Sequence, residues 1–310
     1  MLDAASVEAV LAKLVPTINA HRIRTSRVFV LAVSGLQGSG KTTWAAHLAE
    51  RLTADHGLVT KAVSLDDFYL DHDDLVDIRE ANPSNQLLQT RGQPGTHDEM
   101  LADNFFNSIT QADAADLTIR WPAYDKSLHQ GQGGRVPVES WASHSRNEPL
   151  HVLIFEGWCV GFQPLAAEEL HRRWERSFAR GPSGSLRSVN TLQQHSLEHL
   201  GLLNEHLKLY CELFMGPWRF DSLVQLATDD LSRTYDWRLG QEAARIKAGG
   251  VGMSSDEVIR FVRGYMPAYE LYLDQLSAQS VFAQEDNAND KKHIQLFLDS
   301  HRNVTAIKVL

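Results

Sequence analysis

Leu31-Ala-Val-Ser-Gly-Leu-Gln-Gly-Ser-Gly-Lys-Thr-Thr43 holds the fixed positions of G-x-x-x-x-G-K-[ST] at Gly35, Gly40, Lys41 and Thr42. An apolar run at 28–33 precedes it and helix-prone sequence at 44–52 follows. That is the strand-to-helix setting the motif requires. Gly35, Gly38 and Gly40 let the backbone curl so that successive N–H groups, with Gln37 and Ser39 between them, line one concavity. The helix N-terminus at Lys41 to Thr43 adds partial positive charge. Such a cradle suits a polyphosphate, with Lys41 reaching the terminal phosphates and Thr42 holding Mg²⁺.

Working outward, residues 59–65 are rich in β-branched side chains and read as a second strand, ending in Asp66-Asp67-Phe68-Tyr69. Strand, helix, strand makes a parallel crossover, so the chain is expected to build a three-layer α/β/α domain with a mainly parallel sheet. Acids at the carboxyl ends of such strands lie in the ligand crevice. Asp66 is therefore a candidate base for a hydroxyl attacking a phosphoryl group and a candidate Mg²⁺ anchor. The competing role for Asp66 and Asp67 is helix capping. The continuous apolar run 150–155 is a further buried strand, and Glu156 at its end is a candidate for the metal shell.

Elsewhere the pattern is structural. Residues 7–18 carry helical apolar spacing, within an N-terminal segment 1–27. Residues 71–94 read as loop, and Thr96-His-Asp-Glu99 as a capping box. Arg91 and His97 flank that helix start, either as plain loop residues or as an anion-receiving pair. Residues 117–121 suggest a strand, followed by a loop carrying Tyr124, Lys126 and Arg135, which suits an acidic small molecule or merely a charged surface. A mobile loop is expected over 180–190 and one long helix over 191–214, with His195 and His199 exposed. Residues 223–227 suggest a strand and 236–245 a helix with Arg238 and Arg245 on one face, a lid over phosphate or a surface pair with Glu242. A hinge at 249–252, a capping box at Ser254-Ser-Asp-Glu257, a helix ending near Pro267 and a last strand at 294–298 complete the reading.

The chain has 310 residues and a net charge of −9, which argues against a nucleic-acid partner. Two cysteines give no disulfide framework, and no run is long enough to span a bilayer, so a cytoplasmic, membrane-free protein is expected. No obligate protein partner is evident. No N-K-x-D guanine-reading segment occurs, so ATP is the expected nucleotide.

Taken together, these segments resemble the D-glycerate 3-kinase family, phosphate-loop kinases related to uridine kinase, phosphoribulokinase and pantothenate kinase. The residues that carry the likeness begin with the loop 35–43, Ser64-Leu-Asp-Asp-Phe-Tyr-Leu70 and Asn82-Pro83 with Leu87-Leu88. Arg91-Gly92, Gly95-Thr-His-Asp98, Tyr124-Asp-Lys-Ser127 with Arg135, and Phe155-Glu-Gly-Trp158 follow in order. Trp237-Arg-Leu, Gly252-Met-Ser and Pro267-Ala-Tyr269 extend it through the last third. The resemblance implies one P-loop kinase domain over 1–310, with an acceptor-binding insertion at 70–135 and a lid and helical region at 229–275. It further implies Mg-ATP-dependent phosphorylation of D-glycerate at its 3-hydroxyl. Asp66 is then the base, Glu156 faces the metal and Arg238 serves the lid, with Lys41 catalytic. Tyr69, Arg91, His97, Tyr124 and Lys126 join Asp66 as acceptor-holding candidates. The alternatives are an ATP-binding regulatory or scaffold module without phosphotransfer, or a kinase for another small hydroxyl acceptor.

Overall fold

The computed structural model describes residues 3–110, 118–179, 181, 185–250 and 252–310. The elements run α1 (Ala4–Arg24), β1 (Phe29–Gly35), α2 (Lys41–His56), β2 (Thr60–Ser64), α3 (His72–Ala81), α4 (Glu99–Thr110), β3 (Thr118–Arg120), β4 (Tyr124–Asp125), β5 (Gly134–Arg135) and β6 (Ser143–Ser145). They continue with β7 (Val152–Gly157), α5 (Ala167–Ala179), α6 (Leu197–Tyr210), β8 (Ser222–Ala227), α7 (Arg233–Lys247), α8 (Ser255–Ala278), β9 (Lys292–Leu298) and β10 (Val304–Val309).

Six strands form the central sheet in the order β10-β9-β8-β1-β7-β2, parallel except for β10. Every residue of β1, β7 and β8 is buried, as their continuous apolar runs require of strands covered on both faces. The fold is the expected α/β/α phosphate-loop architecture. α2 packs on β1, β2 and β7, with α1 beside it. Phe155 of β7 meets Phe106 of α4 at 5.0 Å between ring centroids, and Gln225 of β8 meets Ser277 of α8. Because β1 follows β7 and β2 in register, Val33, Glu156 and Ser64 lie abreast at the carboxyl edge. That alignment positions the site.

Several local expectations are corrected. Residues 72–81 form α3 instead of loop; none of its side chains is buried, so it lacks the apolar periodicity by which helices are read. Thr96 is no helix cap: its hydroxyl accepts from Gly92 N and donates to Gln93 O, closing the 92–96 turn. The cap of α4 is Asp98, which accepts from Leu101 N at 2.8 Å. The long helix expected over 191–214 is α6 preceded by a separate turn at 192–194 and followed by a wider π turn at 211–215.

α8 passes through Pro267, which is buried with Met266 and Ala268; packing along a 24-residue helix outweighs the cost of one lost hydrogen bond, about 3 kcal/mol. The strand at 294–298 is not last: β10 returns antiparallel along it, with no residue fully buried. Two small hairpin-like pairs, β3 with β6 and β4 with β5, stand outside the main sheet. Ser254 and Glu257 form the expected capping box. Leu117, part of the 180–190 loop and position 251 of the hinge lie outside the described residues; within that loop Ser188 is buried and accepts Tyr235's hydroxyl hydrogen through its carbonyl.

Candidate active site

The loop at 36–40 joins β1 to α2 and bends through positive φ at Gly38 (77°) and Gly40 (98°). A Cβ on Gly38 would lie 2.8 Å from both Arg238 N and Trp237 C, so the start of α7 rests directly on the loop backbone. Arg302 donates to Gly38 O at 3.3 Å from the β9–β10 turn, and Tyr269 of α8 accepts from Gln37 N at 3.0 Å. The cradle is thus braced from three distant parts of the chain. Ser39 Oγ is buried without a hydrogen-bond partner.

Lys41 is 9% exposed and donates to Leu36 O at 3.1 Å. Burial lowers its pKa, while the charges of Glu156 and then Asp66 act to restore it. Thr42 Oγ1 donates to Glu156 Oε1 at 2.8 Å. The two acids therefore converge with the loop on one edge of the sheet. Their oxygens and the Thr42 hydroxyl are hard donors of the kind Mg²⁺ prefers, and one or two carboxylates with phosphate oxygens and water are its usual shell. The donor chemistry fits that ion. Among the described residues no group of three or more His, Cys, Asp or Glu is gathered into an all-protein metal cage.

Asp66 and Asp67 separate cleanly. Asp67 Oδ2 accepts from Ser64 N at 2.9 Å and completes a capping box on the 3-10 turn Leu65–Phe68. Burial pushes Asp67 up to about 6. Asp66 points the other way, accepting Tyr69's hydroxyl hydrogen on Oδ1 at 3.1 Å and the Lys126 ammonium on Oδ2. Burial would raise Asp66, but Lys126, by charge and hydrogen bond, with smaller help from Lys41, holds it below the usual carboxylate range.

The acceptor candidates form one contiguous wall. His97 stacks on Tyr69 at 4.4 Å, Tyr69 meets Tyr124 edge-on at 5.3 Å, and the Arg91 guanidinium lies over the Tyr124 ring at 5.7 Å. Arg91 also donates to the carbonyls of Gly131 and Gln132, tying the loop before β5 to this wall. Arg135 braces the wall from behind, donating to Asp98 Oδ2 at 2.8 Å and to Tyr69 O. Tyr210 accepts from Gly95 N and His97 N, which leaves its hydroxyl hydrogen for His97 Nδ1 at 2.8 Å. His97 therefore carries its own hydrogen on Nε2, a buried atom with no partner.

Arg238 does not share a surface with Arg245. Arg245 is exposed, whereas Arg238 is largely buried, ion-paired to Glu242 and placed over Phe261 at 5.3 Å. Glu242 is itself fixed by Met253 N at 2.9 Å, so the pair links α7 to the segment before α8. His195 and His199, expected to be exposed, are both half-buried.

Arg302, Tyr210 and Tyr265, whose ring packs under Gly92, were not anticipated from the sequence. Each reaches the site from more than a hundred residues away along the chain, with no spacing pattern to mark it. Tyr269 and Trp237 fell within segments that carry the family likeness.

Burial depresses His97 to about 3 and both His195 and His293 to about 4, so each is neutral in the fold. A group whose folded pKa is depressed keeps its stabilising effect above the unfolded value, about 6.5, and loses it as pH falls toward the folded one. Asp67 acts oppositely between about 4 and 6, but three histidines outnumber it. Stability, and the unfolding temperature with it, is expected to fall from pH 7 to pH 5, the free energy of unfolding by at most about 1.4 kcal/mol per pH unit for each histidine. A scanning calorimetry series in which it stays level or rises would count against this.

Sheet, loop and converging acids define a phosphate-loop kinase, an ATP-dependent phosphotransferase. No family model matches the chain. It is 37% identical over 272 residues to the uncharacterized kinase mug58 of Schizosaccharomyces pombe, covering 88% of this chain and 91% of that protein. It is 30% identical over 274 residues to the chloroplastic D-glycerate 3-kinase of Arabidopsis thaliana, covering 88% of this chain and 53% of that longer protein. The solved structure of D-glycerate 3-kinase from Cryptococcus neoformans var. grubii superposes with a TM-score of 0.83 at 30% identity, covering 99% of this chain and 100% of that one. The chain belongs to the D-glycerate 3-kinase family.

Proposed function

We propose that this protein transfers the γ-phosphoryl group of ATP to the 3-hydroxyl of D-glycerate, giving 3-phosphoglycerate. The observation that carries the proposal is the position of Asp66, with Lys41 and the phosphate loop on one side and Tyr69, His97 and Lys126 on the other. An ionised carboxylate between a polyphosphate cradle and a cationic, hydroxyl-lined wall is suited to a small acidic alcohol. The loop amides of 35–43 and Lys41 hold the phosphates, and Lys41 with Arg238 offsets charge that develops on the transferring group. Asp66 orients the acceptor hydroxyl and takes its proton. Thr42 and Glu156, with Asp66, would hold Mg²⁺, which would supply neutralisation of phosphate charge. Arg91, Tyr124, Lys126 and His97 Nε2–H supply donors for the acceptor's carboxylate and second hydroxyl.

In this reading residues 1–310 act as a single kinase domain, 70–135 form its acceptor side and 229–275 its lid. Two buried free thiols favour a reducing, cytosolic setting. Among the described residues no helix is long and apolar enough to cross a membrane. ADP release should rise on adding D-glycerate to protein and Mg-ATP, and phosphoglycerate should be recovered. If ATP binds but neither D-glycerate nor any other small hydroxy acid or nucleoside stimulates turnover, the ATP-binding regulatory module replaces the kinase for this chain.

A further inference from the structure

A basic cavity lies beside the acceptor wall, between α3 and the loop that precedes β5. It holds about 150 Å³, room for a phosphate group. Arg79 and Arg91 both line it, Leu75 and Leu88 give it apolar walls, and among the described residues no acid does so. The helix explains that exclusion. Leu75 and Arg79 stand three and seven residues beyond His72 on one face of α3, while its four acids, Asp73, Asp74, Asp77 and Glu80, are exposed on the rest. Among the described residues neither guanidinium has a carboxylate partner: Arg79 donates to Gln132 Oε1 at 3.4 Å, and Arg91 to the carbonyls of Gly131 and Gln132. Both are half-buried. Two such cations on an acid-free cavity, in a chain of net charge −9, call for an anion from outside. The loop side of the cavity is held firm. His129 and Gln130 take left-handed φ of 49° and 59°, and the His129 ring lies flat on His72 at 3.8 Å and 2°.

We propose that this cavity is a second oxyanion site, taking a phosphate group, free or carried on a small acid, separately from the 36–40 cradle. The planar fork of each Arg suits phosphate oxygens, and Thr90 brings a hydroxyl to the same lining. Arg91 belongs to both sites, since it lines the cavity and lies over the Tyr124 ring of the acceptor wall. An anion that draws its guanidinium into the cavity withdraws a donor from the acceptor and adds negative charge beside an acidic one. Phosphate bound here therefore weakens acceptor binding, and by linkage the acceptor weakens phosphate binding to the same degree. The site itself stands without the phosphoryl-transfer reading; its effect on the acceptor rests on that reading.

The test is calorimetric titration of the full chain with inorganic phosphate and, separately, with 3-phosphoglycerate. Mg²⁺ and a non-hydrolysable ATP analogue fill the 36–40 cradle throughout, and ionic strength is matched with chloride. The wild type is expected to take up phosphate, and Arg79→Gln to weaken that binding about 10- to 100-fold, the span of hydrogen bonds to a charged group. Arg79→Lys, which keeps the charge without the fork, should recover part of the loss. Tighter binding of 3-phosphoglycerate with the same dependence on Arg79 marks the esterified acid as the occupant; the reverse order marks the free ion. Added D-glycerate should weaken phosphate binding to the wild type about 5-fold or more, the low end of ordinary coupling between sites. No phosphate uptake by the wild type, or equal uptake by Arg79→Gln, overturns the site. D-glycerate binding that falls as far in Arg79→Gln as phosphate binding does makes the cavity part of the acceptor site and overturns it equally. If D-glycerate is neither bound nor phosphorylated, the glycerate assignment fails by itself, and the phosphate titrations still decide the site.

Discussion

Replacing Asp66 with asparagine is expected to lower phosphoryl transfer by about 10²–10⁴-fold, the usual weight of a general base, while ATP binding is kept. The change is nearly isosteric, and the amide still accepts the Tyr69 hydroxyl hydrogen that Oδ1 receives now. What disappears is the charge that pairs with Lys126 and that, in the proposed mechanism, takes the acceptor's proton. The capping box on the 65–68 turn belongs to Asp67 and Ser64, so the local fold does not depend on Asp66. A rapid-quench measurement of phosphoryl transfer, run beside calorimetric titration of ATP, separates chemistry from binding. Turnover within a few-fold of the wild type would remove Asp66 from the mechanism.

Lys41→Met should cost about 10²–10³-fold in turnover, comparable with losing one preorganised donor to developing charge, and should weaken ATP binding as well. Stability should change little. Lys41 is an ammonium held at 9% exposure, where burial works against its charge, and a flexible apolar side chain of similar length removes that cost. The opposing loss is the partial neutralisation of Glu156 and Asp66, after which Glu156 keeps the Thr42 hydroxyl as its hydrogen-bond donor. The signature is a protein that melts near the wild-type temperature yet binds and turns over ATP poorly. Unaltered ATP affinity in this variant would place the phosphates somewhere other than the 36–40 cradle.

The central sheet was legible because buried parallel strands announce themselves as continuous apolar runs: 28–33, 150–155 and 223–227 became β1, β7 and β8. The phosphate loop was legible because its backbone geometry demands glycine at set intervals. Asp66 and Glu156 followed from lying at strand ends, where the parallel register brings Ser64 and Glu156 abreast. α3 was hidden because a helix with no buried face carries no apolar period. Thr96 misled because a threonine three residues before a glutamate matches a capping box whether its hydroxyl serves the helix or the preceding turn.

Local order along the chain therefore settled the strand–loop–helix unit, the placement of its acids and the class of chemistry they permit, since each depends on neighbours within a few residues. The partners of those groups were settled only by folding. Lys126 lies 60 residues from Asp66, Tyr210 113 from His97 and Arg302 264 from Gly38. Whether a side chain is a free base, an ion pair or a buried neutral donor depends on the charge and water around it. Long-range packing sets both, and the one-dimensional pattern does not record them.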